Sequence, residues 1–251
     1  MTMDLKGRGA LVTGGSGDLG TAICRALAAA GSDVVVGYVG NRDSAAKTCQ
    51  LVEGLGRRAF MVQLDQAEPS TIDPAVAAAA SLIGRLDVLV NNAAWNIGIP
   101  FPELDQLTTE VWDRIHDTNV RGPFQLARAA AGHMRRQGGG RIVNIASIAG
   151  LRPSGSSIAY ATSKAALIHL TRCLAVALAP DIAVNCVAPG LIEGTRMAER
   201  LPPAVIEGAR QGVVLGRTSD KGDIAEQVVT FCRADSVTGQ VLVIDGGLHF
   251  H

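Results

Sequence analysis

The sequence predicts an α/β fold in which one parallel sheet of seven strands is flanked by helices on both faces. Short apolar segments rich in valine and isoleucine alternate with longer amphipathic ones, and a glycine-rich loop follows the first apolar segment. Both features are typical of a doubly wound sheet. The expected strands are GALVT, DVVVGY, AFMVQL, DVLVNN, RIVNIAS, IAVNCVAP and QVLVID.

Helices are expected in the longer segments between these strands. Length predicts a single domain over residues 1–251. The segment 190–216 has the weakest secondary-structure pattern and follows a strand end, so we expect it to form a mobile lid over a substrate. The predicted helices span 19–30, 42–55, 71–83, 109–136, 158–179 and 223–232.

The composition argues against several classes of partner. The formal net charge is +0 and aromatic residues make up 4% of the chain, so no nucleic-acid surface is expected. Apolar runs too short for a bilayer and an N-terminus without signal-peptide pattern predict no membrane partner and a cytoplasmic location. The five scattered cysteines predict reduced thiols, and histidines lack metal-binding spacing, so no metal is expected.

The stretch TGGSGDLG, residues 13–20, is the first candidate binding site. Glycine lets the backbone approach a phosphate closely, and a helix N-terminus offers free N–H groups. Two registers fit: G-x-G-x-x-G beginning at Gly15, or a looser T-G-x-x-x-G-x-G beginning at Thr13 with Asp18 at a glycine position. We expect the Asp18 carboxylate to turn back onto the helix N–H groups, leaving backbone amides such as that of Leu19 for a pyrophosphate.

The end of the second strand bears on the choice of dinucleotide. NAD sites usually place an acid there for the ribose hydroxyls. Here Tyr38 is followed by Asn41 and Arg42. Because arginine suits a 2′-phosphate, NADP(H) is favoured; the alternatives are that Arg42 is a solvated helix residue and that the cofactor is NAD(H). Asp65 is expected beside the adenine ring or as a cap of the next helix.

Tyr160 and Lys164 form the first candidate catalytic pair. Their i, i+4 spacing places them on one helix face, where an ammonium favours the phenolate and lowers the pKa of the tyrosine. Ser147 ends the strand RIVNIAS, so its hydroxyl is expected at the carboxyl edge of the sheet, where ligands of open α/β sheets bind. Asn119 lies in the long fourth helix, where a buried asparagine bends the helix or holds a relay water.

In order and spacing, these motifs resemble the classical short-chain dehydrogenase/reductase family over nearly the whole chain. The resemblance rests on TGGSGDLG, NNAA after the fourth strand, Asn119, Ser147, Tyr160-x-x-x-Lys164, NCVAPG and IDGG. It favours the register with Gly14 and Gly20 as fixed points.

The resemblance implies a Rossmann-type oxidoreductase in which Tyr160 exchanges a proton with a carbonyl or alcohol oxygen. Ser147 would orient that oxygen, Lys164 would depress the pKa of Tyr160 and hold the nicotinamide ribose, and Asn119 would anchor a water. The implied cofactor contacts are Gly14, Ser16, Asp18, Leu19, Gly20, Tyr38, Asn41, Arg42, Asp65, Asn91, Ala93, Tyr160, Lys164, Pro189, Gly190, Ile192 and Thr195.

Three positions depart from the family pattern. Asp18 replaces a glycine, and Ala94 replaces the glycine of the usual NNAG. The usual P-G-x-x-x-T is one residue longer here, which leaves the contact of Thr195 with the cofactor phosphates open.

The expected reaction is reduction of a ketone or 3-oxoacyl-type substrate. A polyol or sugar dehydrogenase and a non-catalytic dinucleotide-binding regulator remain alternatives, whereas the compact length disfavours a sugar-nucleotide epimerase. The family commonly forms homotetramers or homodimers, and the apolar faces of 109–136 and 158–179 allow either. The expected substrate contacts are Trp95, Ser147, Leu151, Tyr160 and Leu191, with Asn96, Ile148, Arg152, Ser154 and the lid around Met197 as further candidates.

Overall fold

A computed structural model of the chain describes residues 3–196, 198–201 and 203–250. It contains a seven-stranded sheet in the order β3-β2-β1-β4-β5-β6-β7, and every neighbouring pair is parallel. The predicted fold class is therefore confirmed. The strands are β1 Gly9–Val12, β2 Asp33–Tyr38, β3 Ala59–Gln63, β4 Val88–Asn91, β5 Gly140–Ile145, β6 Ile182–Pro189 and β7 Val241–Ile244.

Eight α-helices are present in the described part of the chain. They are α1 Asp18–Ala29, α2 Arg42–Glu53, α3 Pro69–Ile83, α4 Thr109–His116, α5 Gly122–Arg135, α6 Ile158–Leu178, α7 Pro203–Gly212 and α8 Lys221–Arg233.

The two faces of the sheet carry separate apolar cores, because successive strand side chains point to opposite faces. In β1, Ala10 and Val12 join the cluster formed with α1, α2 and α8. Leu11 joins the cluster formed with α3, α5 and α6. A continuous apolar strand such as VVV in β2 serves both clusters, which is the pattern expected of a sheet covered on both faces.

Two helix predictions need correction. The helix expected over 109–136 is interrupted, because Asp117–Arg121 form a π-helical turn between α4 and α5. The segment 190–216, where the sequence shows the weakest secondary-structure pattern and no helix was predicted, contains a 3₁₀ turn at Ala198–Arg200 and the helix α7. Met197 of the predicted lid lies outside the described residues.

One helix among the described residues, α6, is long and apolar enough by length and composition to span a membrane. Half of it is buried inside the protein, and its apolar residues Leu174, Ala175 and Leu178 belong to the core beneath the sheet. These contacts are those of a core helix in a globular fold.

Candidate active site and dinucleotide cleft

The predicted site residues meet at the carboxyl edge of the sheet. Parallel strands all end on the same side, so the loops after β1, β4, β5 and β6 are neighbours in space. Between β1 and β4 the strand order reverses direction, which is the position where open α/β sheets bind ligands.

The glycine loop after β1 depends on two of its glycines. Gly14 has φ +61°, a left-handed conformation that glycine adopts without strain, and an added Cβ would lie 3.0 Å from Cα of Ala93. A Cβ on Gly20 would collide with the carbonyl oxygen of Gly14. Gly14 and Gly20 are thus required for the loop and the start of α1 to pack closely.

Gly17 and Gly15 differ in how much space surrounds them. Gly17 has φ −88°, and an added Cβ would meet its nearest atom, the Gly14 carbonyl oxygen, at 3.3 Å. Gly15 is tightly enclosed, with an added Cβ at 3.0 Å from Val36 and 3.2 Å from the Cys24 sulfur. The register beginning at Thr13 therefore accounts for the loop better, although Gly15 has a packing role that the sequence interpretation missed.

Thr13 fastens the glycine loop to the loop after β4. Its buried hydroxyl accepts hydrogen bonds from the backbone N–H groups of Asn92 at 3.1 Å and Ala93 at 3.0 Å. The Asn92 side chain returns the contact by donating to the carbonyl oxygen of Thr13 at 2.9 Å. These bonds give the cleft a rigid floor.

Asp18 begins α1, as expected, but its carboxylate does not cap the helix. The N-cap residue is Gly17, which has no side chain to bond the N–H groups of the first turn of α1. Instead Oδ2 accepts a hydrogen bond from the backbone N–H of Arg196 at 2.9 Å, far along the chain. The expectation that Asp18 turns back onto the helix was wrong: at the first position of the helix its side chain reaches the neighbouring segment rather than the amides that follow it.

The edge around α1 fits a dinucleotide phosphate. The uncapped first turn, which includes Leu19, offers N–H groups beside glycines that leave no room for a side chain. A groove of about 380 Å³ runs from Ser16 along α1 to α2. Its cationic lining residues, which sequence reasoning missed, are Arg25, Lys47 and Lys221.

The residues predicted at the ends of β2 and β3 lie at the same edge of the sheet, but Tyr38, Asn41, Arg42 and Asp65 are not among the residues that line this groove. Tyr38 is buried at the end of β2, whereas Arg42 is exposed as the first residue of α2. Asn41 caps α2, because its Oδ1 accepts from the N–H of Ser44 at 2.9 Å. Asp65 accepts from the N–H of Ala67 at 3.0 Å in a local turn.

Asn91 is the last residue of β4, and Ala93 lies in the loop after it. The side chain of Asn91 is buried and donates to Oδ1 of Asn144 on β5 at 2.8 Å, and Asn144 donates in turn to Thr171 at 2.9 Å. This polar chain ties β4, β5 and α6 together, so the side chain of Asn91 is directed into the protein. Ala93 lies against Gly14.

Pro189 is the last residue of β6, and the loop that follows contains Gly190, Ile192 and Thr195. The N–H of Gly190 donates to the carbonyl oxygen of Ile244 at 2.8 Å, and Ile192 pairs with Ser219 in an isolated parallel bridge. The Thr195 hydroxyl donates to the Ile192 carbonyl at 2.8 Å and accepts from the N–H of Ala198 at 3.2 Å. Both hydrogen bonds of the Thr195 hydroxyl are therefore local.

Ser147, Tyr160 and Lys164 come together where β5 meets α6. Ser147 follows β5, and its hydroxyl accepts from the N–H of Ala149 at 3.1 Å while also interacting with Tyr160. The buried hydroxyl of Ser157 caps α6 by accepting from the N–H of Tyr160 at 3.1 Å, which fixes the first turn of the helix. Lys164 places Nζ 5.6 Å from the centre of the Tyr160 ring.

Burial controls the titration of this pair. It raises the pKa of Tyr160 above its ordinary value, while the hydrogen bond with Ser147 acts in the opposite direction. Burial also lowers the pKa of Lys164 to about 8. The expected depression of the Tyr160 pKa by Lys164 is therefore not found: desolvation outweighs the hydrogen bond with Ser147, and the phenol is protonated at neutral pH.

Asn119 is fully buried in the π-helical turn and holds the loop after β4. Its Oδ1 accepts from the N–H of Trp95 at 2.9 Å, and its Nδ2 donates to the Trp95 carbonyl at 3.0 Å and to Ser163 at 3.1 Å. The Ser163 hydroxyl donates to the Tyr160 carbonyl at 2.7 Å. The Asn119 side chain thus connects Trp95 to the helix that carries Tyr160.

The expected substrate residues are not all brought to one cavity. The Arg114 guanidinium lies 4.3 Å from the centre of the Trp95 ring, which orients the indole. Leu151 lines a cavity of about 330 Å³ together with Phe101 and Arg152, and neither Ser147 nor Tyr160 is among its lining residues. Leu191 lies after β6, where its carbonyl accepts from the N–H of Ser219 at 3.0 Å.

No group of three or more histidine, cysteine or acidic side chains among residues 3–196, 198–201 and 203–250 is arranged to hold a metal ion. All five cysteines carry free thiols.

Comparisons with known proteins agree with the fold and the motifs. A family model described as short chain dehydrogenase matches residues 8–205. The chain is 42% identical to the candidate ketoacyl reductase 2 of the granaticin polyketide synthase of Streptomyces violaceoruber, over 96% of this chain and 95% of that protein. It is 36% identical to the 3-oxoacyl-[acyl-carrier-protein] reductase of Thermotoga maritima, over 98% and 99% of the two chains.

Solved structures that contain NADP or NAD⁺ are similar to this chain. A short-chain dehydrogenase from Burkholderia cenocepacia in complex with NADP is 37% identical, with a TM-score of 0.89 over 98% of this chain and 99% of that chain. An NAD⁺-bound xylitol dehydrogenase is 30% identical, with a TM-score of 0.91 over 98% and 100%.

The fold and the site define a dinucleotide-dependent oxidoreductase. The chain belongs to the short-chain dehydrogenase/reductase family and is an NAD(P)-dependent enzyme.

Proposed function

We propose that this chain is an NADP(H)-dependent carbonyl reductase that uses Tyr160 as its proton donor and acts on a ketone or 3-oxoacyl-type substrate. The observation that carries the proposal is the buried Tyr160 phenol, which is held protonated beside Ser147 and Lys164. Tyr160 would act as the acid in reduction and its phenolate as the base in the reverse oxidation, so the choice of reduction rests on the relatives described below.

In the proposed reaction, the substrate oxygen lies between the hydroxyls of Ser147 and Tyr160. Ser147 donates a hydrogen bond to it, and Tyr160 transfers its proton as the carbonyl becomes an alcohol. When bound, the reduced nicotinamide supplies the hydride to the carbonyl carbon. The resulting tyrosinate is stabilised by the Lys164 ammonium and recovers a proton from solvent. Because the side-chain bonds of Asn119 go to Trp95 and Ser163, we infer that a relay water would bind the backbone of the π-helical turn.

The preference for NADP(H) rests on charge. No acid ends β2, and Arg42 is exposed at the start of α2. Lys47 and Arg25 add two cations to the groove that begins at Ser16. A 2′-phosphate is stabilised by such a set, whereas a ribose diol needs the missing carboxylate.

The substrate class rests on the relatives. Two proteins 42% and 36% identical to this chain are named as ketoacyl or 3-oxoacyl reductases. The NAD⁺-bound xylitol dehydrogenase with a TM-score of 0.91 keeps a polyol dehydrogenase as the second candidate.

The test is nicotinamide absorbance with acetoacetyl-coenzyme A, simple ketones and polyols, each with both cofactors. We expect faster oxidation of NADPH than of NADH with acetoacetyl-coenzyme A. Reduction of NAD⁺ by xylitol alone would favour the second candidate. Cofactor binding without turnover of any substrate would favour a non-catalytic regulator.

We also propose a homotetramer or homodimer in the cytoplasm. Phe124 on α5, Val176 on α6 and Phe250 near the C-terminus expose 46%, 82% and 75% of their surface, and burying them against a second copy would remove this apolar surface from water. Light scattering after size-exclusion chromatography tests the assembly.

A further inference from the structure

We propose that Asp18 is a positioning residue that fastens the segment leaving β6 to the N-terminus of α1 and thereby slows release of the dinucleotide. The cofactor part of this inference rests on the proposed function. The contact between Asp18 and Arg196 does not depend on the cofactor, because both residues are part of this chain.

The link between Asp18 and Arg196 is a directed hydrogen bond. Oδ2 accepts from the backbone N–H of Arg196 at 2.9 Å, and Nε of the same arginine lies 3.7 Å from the same oxygen. The two side chains are 35% and 61% exposed, so the ion pair by itself contributes little. A backbone N–H bonded to a carboxylate is the stronger, charge-assisted component.

The segment from Glu193 to Arg196 is also held at two other points. Lys221 at the start of α8 donates from Nζ to the carbonyl oxygen of Gly194 at 3.1 Å. Glu193, which lies within the lengthened P-G-x-x-x-T stretch, accepts from Nε of Arg210 on α7 at 2.8 Å and from the Thr218 hydroxyl at 2.8 Å. Asp18 adds the polar link from this segment to the glycine loop.

This link lies where a pyrophosphate has to enter and leave. The first turn of α1 offers its N–H groups to the phosphates, and Asp18 is the first residue of that turn. A carboxylate aimed at those groups would repel a phosphate. Bonded to Arg196, it is instead turned toward the segment that leaves β6 at the same sheet edge. The departure from glycine at this position therefore supplies a side chain that links the start of α1 to this segment.

The first arm of the test uses the cofactor-free protein. Hydrogen–deuterium exchange of peptides ending at Arg196 is compared among the unmodified protein, Asp18→Ala and Asp18→Asn. We expect Asp18→Ala to accelerate exchange of the Arg196 amide about tenfold, which is the loss of one charge-assisted hydrogen bond. Asp18→Asn keeps a neutral acceptor, so we expect less than about threefold acceleration. Unchanged exchange in Asp18→Ala would overturn the proposed contact.

The second arm measures dissociation of NADPH by stopped-flow fluorescence. We expect release about tenfold faster from Asp18→Ala, and little change in Arg196→Ala because the backbone donor is retained. Slower release from Asp18→Ala would show that the carboxylate opposes phosphate binding and would overturn the inference, as would an unchanged rate. Failure of the unmodified protein to bind NADPH contradicts the proposed function instead, while the exchange arm still decides whether Asp18 holds the segment. Circular dichroism checks that each variant is folded.

Discussion

Lys164 donates from Nζ to the carbonyl oxygen of Ile145 at 2.9 Å, with only 2% of the lysine exposed. This bond anchors α6 to the end of β5 and places the ammonium under the site. One neutral acceptor compensates poorly for the lost hydration of a charged group. The low pKa of Lys164, about 8, follows from that environment.

The buried lysine should make stability depend on pH. Its pKa falls from 10.5 to about 8 on folding, so between these values the unfolded chain binds more protons and stability rises with pH. We expect the free energy of unfolding of the unmodified protein to gain on the order of 3 kcal/mol relative to Lys164→Met across this window. Urea unfolding of both proteins from neutral pH to pH 10 measures the difference.

Comparison with Lys164→Met is needed because the buried cysteines lower the stability of the protein as pH rises, whereas Lys164 raises it. Burial raises the pKa of Cys186 to about 11 and of Cys232 to about 12, so their contribution to stability is lost as pH rises through these values. Both proteins retain these thiols. Parallel pH profiles for the two proteins would refute the assignment of a charged, buried Lys164.

The register of the glycine loop can be tested with two alanine substitutions. Gly20→Ala places a Cβ against the carbonyl oxygen of Gly14, so we expect a loss of about 2 kcal/mol or more in stability and weaker NADPH binding. Gly17→Ala brings its Cβ to 3.3 Å from the same oxygen at the N-cap of α1, so we expect a smaller loss of about 0.5–1 kcal/mol. Thermal unfolding and NADPH titration decide the matter. Equal effects of the two substitutions would contradict the register that begins at Thr13.

Asn119 should contribute more to stability than its partner Ser163. Asn119→Ala leaves the backbone of Trp95 and the Ser163 hydroxyl without their partner, so we expect a loss of about 3 kcal/mol. Ser163→Ala removes the bond to the Tyr160 carbonyl and one acceptor for Asn119, and should cost about 1 kcal/mol. Denaturant midpoints give both values. A smaller loss for Asn119→Ala than for Ser163→Ala would mean that Asn119 does not hold the Trp95 loop.

Cofactor preference should depend on cations around α2. Arg42→Ala and Lys47→Ala are each expected to raise KM for NADPH about tenfold and to leave KM for NADH unchanged, because only NADPH carries a 2′-phosphate. Arg128→Ala, which removes an exposed arginine on α5 paired with Asp73, serves as the control. Equal effects on both cofactors would show that these cations serve the shared part of the dinucleotide.

Much of the fold follows from local sequence patterns. Valine-rich strands and glycine-rich turns identify all seven strands because both sheet faces are covered, and the ends of the helices fall within two residues of expectation for α1, α2, α3, α6 and α8. The break at Asp117–Arg121 has a local signal that the prediction of one helix over 109–136 did not use: Gly122-Pro123 follow it directly, and a proline lacks the N–H and crowds the carbonyl oxygen of Asn119, four residues earlier.

The predictions for Asp18 and for the pKa of Tyr160 were wrong because both depend on tertiary structure. The direction of the Asp18 carboxylate depends on Arg196, which lies 178 residues later, so the local capping rule could not anticipate it. The pKa of Tyr160 follows from burial, which i, i+4 spacing does not reveal. By contrast, Ser147, Tyr160 and Lys164 were predicted together because strand ends and helix faces decide where such residues meet.

The most direct test of the central claim is the turnover of Tyr160→Phe with NADPH and acetoacetyl-coenzyme A. The substitution keeps the ring and removes the hydroxyl with its transferable proton, so we predict a fall in kcat of about a thousandfold with an NADPH Kd within about twofold of the unmodified protein. A kcat within about tenfold of the unmodified enzyme would contradict Tyr160 as the proton donor.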